Sequence, residues 1–217
     1  MKINGELQQR SYQFDIRAEQ DESEAGIVTG RPIVYNSRTD IGWFDEIIES
    51  GALNGTDLRD VRFLVNHDVS KIPLARSRNN NGNSTMQLTV DDQGMQIRVK
   101  LDVKNNSEAR NLYSAIERGD ITGMSFMFSV DDEEWSDLDS DHPTRHIKKI
   151  ATVVEVSAVT FPAYDDTSIS VRNKEALESA KLALENAKRS QEQTLDSERE
   201  SELLLAKAKF EALMKVR

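Results

Sequence analysis

The feature that most restricts the fold is an abrupt change of texture at Lys174. From there to Arg217 the chain has neither glycine nor proline and consists mainly of Ala, Glu, Leu, Lys and Ser. Such a stretch is a long helix by propensity, because nothing in it breaks the backbone ladder. Leu177, Ala180, Leu184, Ala187, Gln191 and Thr194 fall on an a/d seam, which weakens and then resumes, shifted, with Leu203, Ala206, Phe210 and Leu213. A narrow apolar stripe on a highly charged helix calls for a partner helix or a second copy of the chain. Without one, an isolated helix gains little and the segment is a half-disordered tail. The 9 basic and 9 acidic residues of 174–217 cancel, so the net charge of −10 falls entirely on 1–173. These contrasts predict a folded domain over 1–173 and a helical, coiled-coil-like tail over 174–217.

The first part reads mostly as strand. SYQFDIR alternates at period two, GIVTGRPIVYN and VRFLVN are further candidates, and TMQLTV and MQIRVKL flank DDQG as a hairpin. NNSEARNLYSAIERG is a helical pattern, with Asn106 or Ser107 placed to cap it, Leu112 and Ile116 on one face and Gly119 placed to stop it. GMSFMFSV follows as a strand, the acidic DDEEWSDLDSD reads as a loop, and IKKIATVVEVSAVTF and TSISVR read as the last strands. This pattern predicts an α+β fold: a mostly antiparallel β-barrel or strongly bent sheet with few helices, plus the long C-terminal helix.

Composition removes several function classes. With no cysteine there is no disulfide, zinc-thiolate site or cysteine nucleophile, which fits a reducing compartment. MKINGELQQRSYQF lacks the apolar run of a signal peptide, and no window reaches the roughly 18 apolar residues of a membrane span. The expectation is a cytosolic protein away from membranes. A charge of −10 gives no electrostatic reason to bind nucleic acid or anionic lipid, and favours basic or neutral protein partners. There is no P-loop, dinucleotide fingerprint or GxSxG elbow, so no cofactor is expected. Asp137, Asp139 and Asp141 open a D-x-D-x-D pattern, but His142 stands where a calcium loop needs glycine and Lys148 where it needs a bidentate glutamate. No metal is expected.

Three residues stand in unusual company. Ser125 interrupts the apolar GMSFMFSV, on the face shared with Met127 and Ser129 and opposite Met124, Phe126, Phe128 and Val130. On spacing alone, a solvent-facing serine on a half-exposed strand is the plainer account. His67 ends the apolar VRFLVN, where a core-edge histidine bonded to backbone is the plainer account; His142 and His146, beside Pro143, look solvated. Glu155 lies among valines in VVEVSAVTF, where a carboxylate must face water at an edge or find a partner. Together they suggest one arrangement. A hydroxyl becomes a nucleophile when a histidine takes its proton, and a buried carboxylate fixes the imidazole tautomer.

FDEIIESGAL, then LVNHD followed by IPLARS, then ERGDITGMSFMFSV, then VVEVSAVTFPAYDDTSISVR carry a resemblance to the tailed-bacteriophage prohead proteases, distant relatives of the herpesvirus assemblins. The resemblance covers roughly residues 12–172. It implies a serine endopeptidase, on a β-barrel wrapped by helices, that cuts the scaffold-like part of the major capsid protein, and itself, inside the assembling prohead in the host cytoplasm. It implies Ser125 as nucleophile, His67 as base and Glu155 as the third member, with Asp68 and Asp165 as rivals for that third place. Backbone amides of Ala163 or Tyr164, after Pro162, are the candidate oxyanion donors. The partners implied are the capsid protein or scaffold as substrate and a second copy, or a scaffold helix, along 174–217. The alternative is a catalytically inactive scaffold or capsid-assembly protein with the same fold.

Overall fold

A computed structural model of the chain describes residues 7–12, 16–19, 26–160 and 174–215. Among the described residues, eleven strands and two helices follow one another as β1 (Leu7–Tyr12), β2 (Arg17–Ala18), β3 (Ile27–Val34), β4 (Arg38–Asp40), β5 (Asp45–Ile48), β6 (Asp60–Val65), β7 (Ala75–Arg78), β8 (Met86–Asp91), β9 (Gly94–Lys100), α1 (Ser107–Glu117), β10 (Gly123–Ser136), β11 (Thr144–Val159) and α2 (Lys174–Lys215).

The strands form two sheets. One has the order β1-β10-β11-β5-β4, with β6 also on β11 and β7 on β6; the other has the order β2-β3-β9-β8. The 16-residue β11 organises the first. One of its edges pairs with β10. The other pairs with β5 over Thr144–Ile147 and with β6 over Glu155–Ala158, both in parallel. The other ladders are antiparallel.

The expected β-barrel does not form among the described residues, although the α+β class with its C-terminal helix holds. Among the described residues the two sheets stay separate and open, the first with edges at β1, β4 and β7 and the second with edges at β2 and β8. Period-two patterning tells which residues face a core. Closure depends on strand tilt and stagger around a whole sheet, which no local pattern encodes.

Local chemistry explains most elements. Asn106 caps α1, its side chain accepting from the amides of Glu108 and Ala109. The helix buries Ala109, Leu112 and Ile116, and Gly119 follows it at φ +78°. The β8–β9 hairpin turns at Asp92 and Gln93, with Asp91 facing Gly94. Gly94 has φ +134°, and a Cβ there would lie 2.0 Å from the Ile33 carbonyl oxygen, so only glycine lets β9 approach β3.

Two sequence expectations shift. The acidic stretch after Val130 is not all loop: residues 131–136 prolong β10 against the basic start of β11. Asp131 pairs with Lys149 at 2.6 Å and Glu134 with Lys148 at 3.2 Å, while Glu133 meets Arg145. Opposite charges facing one another stabilise such a ladder, and only the strand's sequence neighbours made it look like a loop. The first strand lies earlier than SYQFDIR and shares only Ser11 and Tyr12 with it. Most of that motif's remainder, and TSISVR, lie outside the described residues.

One core cluster joins both sheets and α1, including Val28, Ile97, Phe63, Phe126, Phe128, Val156 and Leu112. Burying each large apolar side chain contributes about 1.5–3 kcal/mol. Within this interior lies a charged cluster. Glu46 accepts from Arg10 at 2.6 and 2.9 Å and from Arg145 at 2.9 Å, and all three side chains are buried. Gln8 accepts from Arg145 at 2.6 Å. Burial pushes the Glu46 carboxyl up, but the two guanidinium groups outweigh it and hold it below its ordinary value.

By internal contacts the chain divides into two compact units, 1–179 and 180–217. In the second, α2 exposes Leu182, Leu195, Leu203, Leu204 and Leu205. Among the described residues no helix is long and apolar enough to cross a membrane.

Candidate active site

The site grows from the pairing of β10 with β11. Ser125 lies opposite Ser157, and Met127 opposite Glu155. Glu155 and Ser157, two residues apart, therefore point to the same face as Ser125. That face is not solvated: Ser125 and Ser157 are fully buried and Glu155 is 1% exposed. Glu155 sits on a central strand, with Met127 on one side and Arg62 of β6 on the other.

β6 supplies the third element. Its chain turns sharply after Val65, with Asn66 at φ +51° and His67 at φ +57°, closed by the Asp68 amide donating to the Val65 carbonyl at 3.1 Å. Two successive left-handed residues define a type I′ turn, which Asn tolerates well and His better than most. The Asn66 side chain fastens this turn to the end of β11, accepting from the Thr160 amide at 2.9 Å and donating to the Thr160 hydroxyl at 3.1 Å. The backbone N–H of His67 donates to Ser157 Oγ at 3.1 Å.

The turn carries the imidazole between the two residues of the hairpin. His67 Nε2 lies 2.5 Å from Ser125 Oγ, and Nδ1 lies 2.5 Å from Glu155 Oε1. Because Glu155 only accepts, a neutral His67 carries its proton on Nδ1 and presents the Nε2 lone pair to the serine. The second carboxylate oxygen accepts from Ser157 Oγ at 2.6 Å. The Ser125 hydroxyl has a second acceptor within reach, the Arg10 carbonyl of β1 at 2.8 Å. The chain hydroxyl–imidazole–carboxylate is continuous, and it draws on residues 58 and 30 positions away from Ser125.

Asp68, His142 and His146 lie elsewhere. The Asp68 carboxylate accepts from the Ser70 amide and hydroxyl, which hold it below its ordinary pKa, and it caps the loop after His67. Ala163, Tyr164 and Asp165 fall outside the described residues. His146 is half-buried rather than solvated, its Nδ1 3.1 Å from Glu49. His142 Nε2 lies 3.3 Å from Asp45 and 3.6 Å from Asp40, and these three bring potential ligand atoms within 4.8 Å of one another. Arg38 occupies the other Asp45 oxygen at 2.6 Å, so the cluster is balanced by ion pairing.

Sequence reasoning missed Ser157 and Asn66. The signal for Ser157 was its spacing of two from Glu155 in a strand. The signal for Asn66 was its place before His67, where a left-handed turn favours asparagine. The buried Arg10–Glu46–Arg145 cluster gave no signal, because its members come from three distant segments.

A sheet that presents serine, histidine and glutamate in one hydrogen-bonded chain has the arrangement of a hydrolase site that uses a hydroxyl nucleophile. The chain belongs to the caudovirus prohead serine protease family, whose sequence profile matches residues 11–181. It is 28% identical over 153 residues to the prohead protease of Enterobacteria phage HK97, a match covering 69% of this chain and 61% of that protein. The chain thus spans about three-fifths of the length of that relative. No solved structure matches it.

Proposed function

We propose that the chain is a serine endopeptidase acting through a triad of Ser125, His67 and Glu155, with 1–173 as its catalytic domain. The observation that carries this is the imidazole held 2.5 Å from both the Ser125 hydroxyl and the Glu155 carboxylate. Ser125 Oγ attacks the scissile carbonyl carbon as its proton passes to His67 Nε2. Glu155 keeps the Nδ1 proton in place and stabilises the imidazolium that forms. The tetrahedral intermediate expels the amine, which takes the proton from Nε2, and leaves an acyl-serine. Water, deprotonated in turn by Nε2, releases the acid and restores the hydroxyl. Amides of Ala163 or Tyr164 are the proposed donors to the oxyanion.

Membership of the family and the likeness to a phage prohead protease support capsid maturation as the setting. The proposed substrates are the scaffold-like region of the major capsid protein and the chain itself, cut inside the assembling prohead. In this scheme 174–217 is the segment that joins the protease to the assembly, either beside a scaffold helix or a second copy, and that self-cleavage later removes. The exposed leucines of α2 support that role.

The test is intact mass spectrometry of wild type and Ser125→Ala, each expressed alone and with the coat protein. Fragments present with wild type and absent with Ser125→Ala are expected, and their ends give the cleavage preference. Identical masses in both settings would reject the protease reading.

A further inference from the structure

Ser157 is fully buried in the middle of the site, yet a catalytic triad of Ser125, His67 and Glu155 has no step for it. Its hydroxyl makes two contacts, and each fixes the other. The His67 N–H donates to Ser157 Oγ at 3.1 Å, so the oxygen is used as an acceptor. The same hydroxyl lies 2.6 Å from Glu155 Oε2, and because an ionised carboxylate cannot donate, the Ser157 proton points to it. Ser157 therefore touches both partners of the His67–Glu155 pair. It holds the main chain of one and the carboxylate plane of the other.

Resting on the proposed triad, we infer that Ser157 is the positioning residue that sets the Glu155 carboxylate for His67. A glutamate side chain has three rotatable bonds, and a single contact through Oε1 leaves its plane free to swing. Bonding both oxygens, one to Nδ1 and one to Ser157, removes that freedom. The His67 backbone is tied to the same oxygen, so the distance between imidazole and carboxylate is fixed from both sides. Ser157 differs from Ser125 in that its proton is held by the Glu155 carboxylate rather than facing an imidazole nitrogen. Asn66 holds the same turn from its other side, through Thr160 rather than through Glu155. The two clamps are separable.

The full chain is studied by proton NMR for the His67 Nδ1–H resonance and by the rate at which a small fluorophosphonate labels Ser125. Wild type is expected to show a downfield resonance that His67→Ala lacks. In Ser157→Ala that resonance moves upfield or broadens. Labelling at saturating reagent slows about 10- to 100-fold, as for loss of a hydrogen bond to a charged group, while the half-saturating concentration holds. Ser157→Thr restores the hydroxyl and both signals. Ser157→Cys, close in shape but a weak donor, repeats the loss and guards against a folding defect in the alanine variant. A wild-type resonance and rate in Ser157→Ala, or threonine performing no better than alanine, overturns the role of Ser157 while leaving the triad intact. Coat-protein processing that survives Ser125→Ala instead overturns the triad itself.

Discussion

Ser125 faces Ser157 directly across the β10–β11 ladder, and the two hydroxyls have different partners. The Ser157 proton is held by Glu155 at 2.6 Å, whereas Ser125 Oγ lies 2.5 Å from an imidazole nitrogen able to accept its proton. In Ser125→Ala or His67→Ala, proteolysis is expected to fall by about 10⁴- to 10⁶-fold. Quantitative fragment analysis of coat protein incubated with each variant measures this. His67→Ala also strips the buried Glu155 of its Nδ1–H donor, so its folding is checked by circular dichroism.

Glu155→Gln should retain more activity than His67→Ala. In the proposed triad Glu155 orients the imidazole and does not react, so the loss should be smaller than that of the base measured in the same assay. Activity equal to wild type in Glu155→Gln would remove Glu155 from the site.

The Arg10–Glu46–Arg145 cluster makes a separate prediction about stability. Glu46→Gln keeps the shape but leaves two buried guanidinium groups without their shared carboxylate. Breaking a buried ion pair from one side costs about 3–5 kcal/mol. The denaturation midpoint of Glu46→Gln should fall accordingly, and a change under about 1 kcal/mol would mean that water or relaxation replaces the pair.

Acid should unfold the chain in a defined window. Asp57, bonded by the Arg59 side chain and amide, is lowered from 3.8 to about 2, and Asp91, bonded by Arg31 and the Gln93 amide, is lowered to about 2 as well. Glu46 shifts in the same direction. A carboxyl whose pKa is lower in the folded than in the unfolded chain adds stability fully above its unfolded value. That stability is lost as pH falls through the folded value. Urea midpoints are therefore expected to hold near neutral pH and to drop between about pH 4 and about pH 2. Asp91→Asn should flatten part of that drop; an unchanged profile would show that Arg31 does not sustain the shift.

Gly94→Ala tests the contact between β9 and β3. The added Cβ would lie 2.0 Å from the Ile33 carbonyl, on a backbone at φ +134°. Both strain and overlap act, so a loss of about 3 kcal/mol or more is expected from thermal or urea unfolding. Asn36, already left-handed at φ +56°, offers the contrast: Asn36→Gly should change stability by only a few tenths of a kcal/mol.

Much of this protein was legible in its sequence, and the reasons are local. The capped helix at Asn106, the DDQG hairpin, the long glycine-free helix and the strand around GMSF follow from spacing, caps and turn residues, which act within a few positions. The oddness of Ser125, His67 and Glu155 was also visible, because a polar residue in an apolar run is conspicuous wherever it falls. Their meeting was not visible. Serine, histidine and glutamate come together because β11 pairs with β10 on one edge and with β6 on the other, and the left-handed turn at Asn66 and His67 aims the ring inward. The two open sheets in place of a barrel, the buried Arg10–Glu46–Arg145 cluster and the double contact of Ser157 were likewise decided by tertiary structure. Each depends on register and on strand order between distant segments. A periodic sequence states which side of a strand is buried, but not which strand will lie beside it.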